Sequence, residues 1–420
     1  MRSKLLLPIV VLASVCFAPA AAAENAPAPP PQPGDDPKLS VPIVYLGKRY
    51  TEPEPLSLVD KIVDDYGVQG ARIGLDEDNM TGRLIGHQYS LAEEIVTEAD
   101  DVASKAKEVL ASGRKLIIAD LEPGDLQAVA DLPEARDAVI LDVRTVEDST
   151  RMEQCRANVF HVRPSWAMKA DALAQYLSWK KWRRALLVVG KRSRDLGYAE
   201  AVRRAAGRFG IKVVEERSYT FEAGSRRTDT GHQQVQKQMP LLTQSAPEHD
   251  VIFVADEEES FGEYVLFRSS EPRPVVGTHG LIATAWHRSF EEYAATQMQN
   301  RFERKAKRVM HERDYAGWLA ARIFGEAVTR TQSASAASVR DYILSPKFEI
   351  AGFKGEGLTF RKWDNQLRQP LLIAGPRALV SISPQEGFLH ERTPTDTLGY
   401  DLPETKCRFN SATAEQGKSK

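Results

Sequence analysis

The histidines and cysteines are the residues of this chain whose types could most readily support catalysis or metal binding. The eight histidines are scattered without metal-site spacing, and neither His311 nor His390 is followed by the second histidine that an HExxH zinc site requires. Cys155 and His161 are close in sequence, but that proximity does not establish a nucleophile and its base. No GxSxG, P-loop, paired CxxC or usable GxGxxG motif is present. This absence of motifs decides little by itself. Joined to the interpretation of the whole chain reached below, it predicts a protein that is not an enzyme and that uses no cofactor.

Two of the three cysteines are candidates for a disulfide bond. Cys16 lies in the leader described below, and Val15 before it is bulkier than lipoprotein processing prefers. Without the leader, Cys155 and Cys407 remain, and in an oxidising compartment they would pair and tie the C-terminal extension to the body. The alternative is two unpaired, buried thiols. Both stay open at this point, because a bridge requires Cα atoms within bonding range.

The first 40 residues carry the signals of export. Residues 1–23 combine a basic start, an apolar stretch over 5–17 and small residues before Glu24, which is the pattern of a cleavable signal peptide. The apolar stretch is shorter than the roughly 20 residues that a transmembrane helix needs. Residues 24–40 are rich in proline and are predicted to form an extended linker. We therefore expect a periplasmic protein.

Composition excludes some classes of partner. A chain of 420 residues with 42% hydrophobic and 27% charged residues is typical of a globular protein with two to three domains. Loss of Arg2 and Lys4 with the leader takes the net charge from −2 to about −4. This mild acidity argues against nucleic acid, or an anionic membrane, as the main partner.

Short apolar runs alternate with helical patterns along most of the chain. The runs that read most clearly as buried strands are 115–120, 138–142, 159–162, 185–190 and 251–255. Continuous apolar runs of this length are typical of a parallel sheet covered by helices on both faces. The segment 182–221 reads as strand, helix and strand, with an expected right-handed crossover. The sequence therefore predicts the α/β class.

Two local expectations concern glycines and the late strands. A mostly helical stretch is predicted over 57–79, and Gly67, Gly70 and Gly74 are expected to break its second half. Segments 357–360 and 369–374 are predicted to be the strands of one hairpin.

Four parts of the chain carry a resemblance to a known family. The first is Gly-Ala-Arg at 70–72 with Asp-Asn-x-Thr-Gly-Arg at 78–83, and the second is the module 188–198, which opens with Val-Val-Gly. The third is Asp-Tyr-Ala-Gly-Trp-Leu-Ala-Ala at 314–321, and the fourth is 353–370, which ends in Trp-Asp-Asn-x-x-Arg-Gln-Pro. In this order they resemble the type I periplasmic solute-binding proteins, the leucine/isoleucine/valine receptor group, over roughly 41–380. With the tail 388–399, the first and last parts also resemble the branch linked to pyrroloquinoline-quinone (PQQ)-dependent alcohol dehydrogenase systems.

The resemblance implies a two-lobed molecule. Two Rossmann-like lobes with parallel sheets would be joined by three crossovers, and a solute would bind in the cleft between them as the hinge closes. By analogy, the boundaries are 41–163 plus 277–350 for lobe I, 164–276 plus 351–385 for lobe II, and 386–420 for a C-terminal extension.

The resemblance also implies where a solute would be held. The candidate ligand-binding residues are Glu122, Asp125, Arg144, Thr145, Arg194, Tyr198, Asp256 and His279. In amino-acid receptors of this group, a hydroxyl-rich loop holds the ligand carboxylate, but Glu122 and Asp125 would repel one. Arg144 and Thr145 could still supply a cation and a hydroxyl, and Asp256 an acid for an ammonium group. An ordinary amino acid is therefore not the expected ligand.

Each candidate has an alternative structural role. The alternatives are helix capping for Glu122 and Asp125, a salt bridge between lobes for Arg144 and Arg194, core packing for Tyr198, a solvated turn for 256–259, and a surface or hinge position for His279. Two acidic loops facing one cleft could also hold a hard cation, but the sequence has no spaced calcium loop, and no metal site is predicted.

The resemblance leads to one functional expectation and one alternative. The expected function is that of a periplasmic substrate-binding protein of an ABC-type transporter that binds a small polar solute and is linked to PQQ-dependent alcohol oxidation. Candidate partners are the solute, the transporter's membrane subunits and a periplasmic PQQ-dependent dehydrogenase; nucleic acid is not expected. The alternative is a receptor-fold accessory protein that binds a periplasmic dehydrogenase or cytochrome, suggested by the acidic loops and by the extension 386–420.

Overall fold

A computed structural model describes residues 37–52, 62–220 and 232–409. The predicted signal peptide, the linker as far as residue 36, the start of the predicted helical stretch and the end of the C-terminal extension lie outside the described residues. Within the described ranges, every helix is too short or too polar to cross a membrane.

The first sheet has five parallel strands in the order β2-β1-β3-β4-β5. These strands are β1 Leu39–Lys48, β2 His87–Val96, β3 Leu116–Asp120, β4 Val139–Asp142 and β5 Val159–His161. The sheet's helices are α1 Val68–Gly82, α2 Val102–Ala111, α3 Pro123–Ala130, α8 Ala295–Ala306, α9 Glu312–Thr331 and α10 Ala336–Ile343. Helices α2 and α3 cover one face and the other four cover the opposite face, which explains why β3 and β4 are apolar up to their final residues, Asp120 and Asp142. We call this part the five-stranded lobe.

The second sheet has seven strands in the order β15-β14-β10-β9-β8-β6-β7. They are β6 Arg184–Val189, β7 Lys212–Ser218, β8 Val251–Ala255, β9 Val275–Gly277, β10 Leu281–Thr284, β14 Leu371–Gly375 and β15 Ala378–Ser383. The helices are α4 Trp166–Trp179, α5 Ser193–Arg208, α6 His232–Thr243 and α7 Gly262–Arg268. Helices α4 and α5 pack on one face and α6 and α7 on the other. We call this part the seven-stranded lobe.

The chain passes between the lobes three times. The crossovers follow β5, β10 and a small sheet formed by β11 Ile350–Ala351, β12 Gly357–Phe360 and β13 Leu367–Arg368. The α/β class, the two lobes and the three crossovers predicted from the sequence are confirmed. Strand β10 belongs to the seven-stranded sheet, so the second crossover comes after Thr284, beyond the boundary at 277 suggested by analogy.

The predicted hairpin between 357–360 and 369–374 is wrong. Strand β12 pairs with β11 and β13, whereas β14 pairs with β10 and β15 in the seven-stranded sheet. Pro370 separates β13 from β14 and has no N–H to donate to a ladder. The chain therefore changes lobe at this proline.

The predicted break of the early helix is wrong at Gly70 and Gly74, whereas Gly67, with φ 79°, lies just before the start of α1. Helix α1 runs through Gly70 and Gly74 because it packs closely against α9. A Cβ on Gly70 would lie 1.8 Å from the carbonyl oxygen of Asp314, and one on Gly74 would lie 2.8 Å from the Cβ of Ala321. The two glycines allow the helix backbones to approach, and their cost to helix propensity is outweighed by that packing.

We predict that Gly70→Ala destabilises the protein by about 1–3 kcal/mol, because the new methyl group has no space against α9. Urea denaturation of both proteins measures the difference. Gly124→Ala in α3 is the matched control, since no atom lies within 4 Å of its Cβ position. That variant should be unchanged or slightly more stable. Equal stability of Gly70→Ala and the parent protein would contradict the close packing.

A disulfide bond joins the C-terminal extension to the five-stranded lobe. Cys155 and Cys407 are bonded, with Cα atoms 5.7 Å apart, within the usual range. The extension also packs directly on the body: buried Arg361 donates to Asp396 (3.0 Å) and to the carbonyl of Leu398 (2.7 Å). The described part of the extension is therefore integral to the fold.

We predict that an unreduced proteolytic digest of the exported protein contains the Cys155 and Cys407 peptides linked to each other. Mass spectrometry tests this directly, and recovery of both peptides as alkylated free thiols would contradict it. The double variant Cys155→Ser/Cys407→Ser should be about 2–5 kcal/mol less stable than the oxidised protein. The reduced parent protein is the control.

Candidate functional site

Loops from both lobes meet where the carboxyl ends of the parallel strands face each other. The five-stranded lobe contributes the loops after β1, β3 and β4 and the start of α9, and the seven-stranded lobe contributes the loops after β6, β8 and β9. We call the charged and aromatic side chains of these loops the interlobe site; they are Tyr50, Glu52, Tyr66, Asp120, Glu122, Arg144, Glu147, Arg194, Glu257, Glu259, His279 and Arg313.

Asp120 anchors the half of the interlobe site that belongs to the five-stranded lobe. Its carboxylate accepts two hydrogen bonds from Arg313 (3.0 and 2.9 Å) and one from the Tyr45 hydroxyl (2.8 Å). Burial alone would raise the pKa of Asp120, but the guanidinium groups of Arg313 and Arg144 outweigh it and lower that pKa. Asp120 is therefore an ionised carboxylate already satisfied by the protein.

Three of the predicted site residues lie together around Tyr50. Arg144 is 3.6 Å from Glu122, and its guanidinium stacks on the ring of Tyr50 at 4.5 Å. The Tyr50 hydroxyl donates to Asp125 (2.7 Å) and accepts from the backbone N–H of Glu122 (2.9 Å). Arg144 also pairs with Glu52 at 2.9 Å. These side chains lie together, and they are held mainly by contacts with one another.

Thr145 points into the protein. It is 1% exposed, its N–H donates to Asp142 at 3.0 Å, and its hydroxyl bonds to the same carboxylate. Asp142 is also bonded to His161 Nδ1 at 2.7 Å, and Arg151 donates to Thr145 at 3.3 Å. This buried network supports the loop after β4, and Thr145 is committed to it.

Arg194 connects the two lobes. Its guanidinium donates to Glu147 of the five-stranded lobe (2.8 Å) and to Glu257 of its own lobe (3.3 Å). It also lies over the ring of Trp166, 5.7 Å from the centroid. The structure thus gives Arg194 the bridging contact that the sequence analysis considered as an alternative to solute binding.

Asp256 and Tyr198 have structural contacts. The Asp256 carboxylate is buried and accepts from the N–H groups of Ser260 (2.9 Å), Phe261 (2.8 Å) and Gly262 (2.6 Å) at the start of α7. Tyr198 is 2% exposed and packs in the core of the seven-stranded lobe, and burial raises the pKa of its phenol. Neither side chain is free to hold a solute in this arrangement.

Glu259 is an interlobe carboxylate in the acidic loop 256–259, of which only Asp256 is a candidate from the sequence. Within the described residues its carboxylate makes no hydrogen bond or ion pair, and the residue has φ 51°. Partial burial raises the pKa of Glu259; Asp256, Glu257 and Glu52 raise it further, while His279 lowers it. Its side chain still reaches solvent. Glu259 is therefore a carboxylate in an acidic neighbourhood with its hydrogen-bonding capacity unused.

His279 and Tyr66 both lie near Glu259. His279 is on the same lobe as Glu259, and Tyr66 is on the other lobe. His279 Nδ1 is 3.0 Å from the Thr278 hydroxyl, and its ring packs against Gly262. The Tyr66 ring contacts His311 at 4.8 Å between centroids, and burial raises its pKa, with Glu259 contributing. The site thus offers a free carboxylate, a phenol and an imidazole. No group of three or more His, Cys, Asp or Glu residues that could hold a metal is found in the described ranges.

Several members of the interlobe site could not be recognised from the sequence. Glu52 lies just past β1, Tyr66 precedes α1, and Arg313 is at the start of α9. None has a local pattern that marks a site, because each joins it only through the tertiary fold. The sequence signal that could have indicated Glu52 and Glu259 as site residues is that each follows a predicted strand.

Glu312, beside this site, joins the crossovers. One carboxylate oxygen accepts from Arg163 (2.6 Å) and Lys169 (2.8 Å), and the other from the Thr284 hydroxyl (3.0 Å) and the N–H of Ala285 (2.7 Å). Burial would raise the pKa of Glu312, but Lys169 and Arg163 lower it well below its usual range. The first two crossovers are therefore fixed to α9 by one ionised carboxylate.

No protein-family model matches the sequence, and no curated protein sequence matches it either. Solved structures do match. A branched chain amino acid ABC transporter periplasmic ligand-binding protein from Burkholderia xenovorans has a TM-score of 0.65 and 15% identity, over 88% of this chain and 100% of that chain.

Two further structures agree with this comparison. An ABC transporter substrate-binding protein from Sphaerobacter thermophilus has a TM-score of 0.65 and 16% identity, over 82% of this chain and 98% of that one. An amino acid ABC transporter substrate-binding protein from Pseudomonas fluorescens has a TM-score of 0.62 and 13% identity, over 88% of this chain and 99% of that one. At these identities the comparison establishes the fold: the two-lobed type I periplasmic-binding-protein fold predicted from the sequence.

We predict that Glu312→Gln destabilises the protein by about 3–5 kcal/mol at neutral pH, because Arg163 and Lys169 lose their buried counter-charge. The pKa of Glu312 is lowered in the folded state, so its contribution is complete above the ordinary pKa of 4.5 and disappears as the pH falls below it.

Urea denaturation from neutral to acidic pH measures this difference. Glu326→Gln is the matched control on the same helix, because Glu326 pairs with exposed Arg330 and should contribute less than about 1 kcal/mol. A stability gap that stays constant down to acidic pH would contradict the assignment of an ionised Glu312.

Proposed function

We propose that this chain is a periplasmic substrate-binding protein of an ABC-type transporter and that it binds a small polar solute in the interlobe site. The proposal is supported by the shared fold, since the matched structures are named as ligand- or substrate-binding proteins of such transporters. It is also supported by the position of the interlobe site at the carboxyl ends of the strands, where α/β folds bind ligands.

The pairing of charges favours one class of solute. The three arginines of the site are each paired with protein carboxylates: Arg144 with Glu52, Arg313 with Asp120, and Arg194 with Glu147. A solute carboxylate would have to displace one of these partners. Glu259, in contrast, has no partner among the described residues, and this observation carries the proposal. We therefore propose a solute that donates hydrogen bonds, such as an amine or a polyol, rather than an ordinary amino acid held by its carboxylate.

The link to PQQ-dependent alcohol oxidation remains a proposal based on the sequence resemblance. The two main segments that carry it have architectural roles here: 70–83 lies largely in α1 against α9, and 363–370 leads into the third crossover. They therefore support a shared architecture more directly than a shared solute. A periplasmic alcohol or aldehyde belongs in any screen for the ligand.

The alternative is an accessory protein that binds a periplasmic dehydrogenase or cytochrome. It is favoured by the internal pairing of the interlobe arginines and by the Arg194–Glu147 contact, which already joins the lobes at 2.8 Å. Such a protein would no longer need to open around a solute. It would instead present its surface, including the extension bonded through Cys407, to a partner.

We predict that an amine or polyol gives saturable thermal stabilisation in a screen that also contains alcohols, aldehydes, organic acids and amino acids. A solute at 100 times its Kd should add about 2.7 kcal/mol to the free energy of unfolding. Glu259→Gln should weaken binding about tenfold or more, because a charged hydrogen bond is lost. Titration by calorimetry measures the affinities.

Glu108→Gln, on the exposed side of α2, is the control and should bind like the parent protein. Stabilisation by carboxylates alone would contradict the proposed solute class. If no compound stabilises the protein and a periplasmic redox enzyme co-purifies with it, the accessory-protein alternative replaces the proposal.

A further inference from the structure

Two tryptophans and several cations lie together at the end of α4. Trp179 is 56% exposed, and Lys180 has its ammonium group 5.5 Å from the centroid of the Trp179 ring and 5.7 Å from that of Trp182. Arg183 and Lys212 are adjacent, since the N–H of Lys212 donates to the carbonyl of Arg183 at 2.7 Å. We call this surface the basic-aromatic patch; its members are Trp179, Lys180, Lys181, Trp182, Arg183 and Lys212.

In the described part of the chain, the cations of the basic-aromatic patch are clustered and unpaired. Among the described residues, no ion pair is formed by Lys180, Lys181, Arg183 or Lys212, although all four are exposed. Arg184, next to them, is paired with Glu248 (2.7 Å) and Asp250 (3.0 Å). Lys180 at the end of α4 complements the helix dipole. That explains one cation but neither the other three nor the exposed indole.

We infer that the basic-aromatic patch binds the surface of an anionic lipid bilayer. Indole rings favour the boundary between lipid headgroups and hydrocarbon, and lysine and arginine are attracted to anionic headgroups. The patch is formed mainly by consecutive residues, whereas a stable protein interface needs roughly 20–30 residues on each side. The exposed indole beside unpaired cations therefore suits a lipid surface better than a folded protein partner.

The position of the patch is compatible with solute binding. Strands β6 and β7 begin at Arg184 and Lys212, so the patch lies at the amino edge of the seven-stranded sheet. The interlobe site follows the carboxyl ends of the strands. Membrane contact would therefore leave the interlobe site turned away from the lipid. The mild net acidity argues against such a membrane as the main partner, but it does not prevent a local contact, because charges beyond about 8 Å are largely screened at physiological salt.

The test is co-sedimentation of the purified protein with vesicles of phosphatidylcholine alone and of phosphatidylcholine mixed with phosphatidylglycerol. Binding is expected only to the mixed vesicles, and it should be lost at high salt. The variant Lys181→Gln/Arg183→Gln should bind roughly tenfold or more weakly, since each cation strengthens such binding several-fold. The matched control is Arg304→Gln/Lys307→Gln, which removes two exposed cations of the α8 region that have no ring contact in the described chain.

Trp179→Ala tests the contribution of the indole. It should weaken binding to the mixed vesicles and reduce the blue shift of tryptophan fluorescence that the vesicles cause, while the thermal melting curve confirms that the variant is folded. Binding that is equal for both double variants, equal for both vesicle types, or unaffected by Trp179→Ala would overturn the inference. If polyglutamate binds through Lys181 and Arg183 while vesicles do not, the patch belongs to an acidic macromolecule and the membrane inference is wrong.

Discussion

The arrangement of the two lobes depends on one buried carboxylate. Glu312 begins α9 in the five-stranded lobe, and its two oxygens receive hydrogen bonds from Arg163 on the first crossover, from Lys169 and Thr284 of the seven-stranded lobe, and from the N–H of Ala285 on the second crossover. An ionised carboxylate with this number of donors is stable without water, but the loss of a single partner leaves a buried charge unpaired. The relative position of the lobes is therefore fixed by electrostatics as well as by packing.

The third crossover is connected to the same region through a lysine. The ammonium group of Lys354 donates to the carbonyls of Ala285 and Pro370, 3.1 Å from the latter, and it lies over the ring of Tyr315 at 5.3 Å. Burial lowers the pKa of Lys354 to about 7. All three crossovers thus meet at a small polar cluster, and the loops of the interlobe site are positioned on either side of it. A change in the lobe angle would have to rearrange these contacts together, which favours discrete open and closed states.

The sequence could predict the layers but not the contacts between them. The buried strands were recognisable because continuous apolar runs such as β3 and β8 can lie only in a sheet covered on both faces. Gly70 and Gly74 were misread as helix breakers, since only the approach of α9 explains them. Among the site candidates, Thr145 and Asp256 face inward because the protein itself uses their side-chain oxygens. The Thr145 hydroxyl bonds to the Asp142 carboxylate, and the Asp256 carboxylate accepts from backbone N–H groups. Residue type alone does not separate these two roles.

At Glu259, a strained backbone conformation coincides with a carboxylate that has no partner among the described residues. Its φ of 51° is unfavourable for a side chain with a Cβ. The turn is imposed by Asp256, which binds three successive N–H groups at the start of α7 and so fixes the backbone on both sides of residue 259. The result is a carboxylate held near Glu52, Glu257 and His279 that accepts no hydrogen bond from any residue the structure describes. Strained backbone persists where its surroundings determine it, and such positions cluster at functional sites. A donor group supplied by a solute would relieve the repulsion among these carboxylates. Asp256 and Glu257 repel Glu259 within its own lobe, whereas the contribution of Glu52 comes from the other lobe and depends on the lobes being together. Binding and lobe closure would therefore be coupled through the same charge.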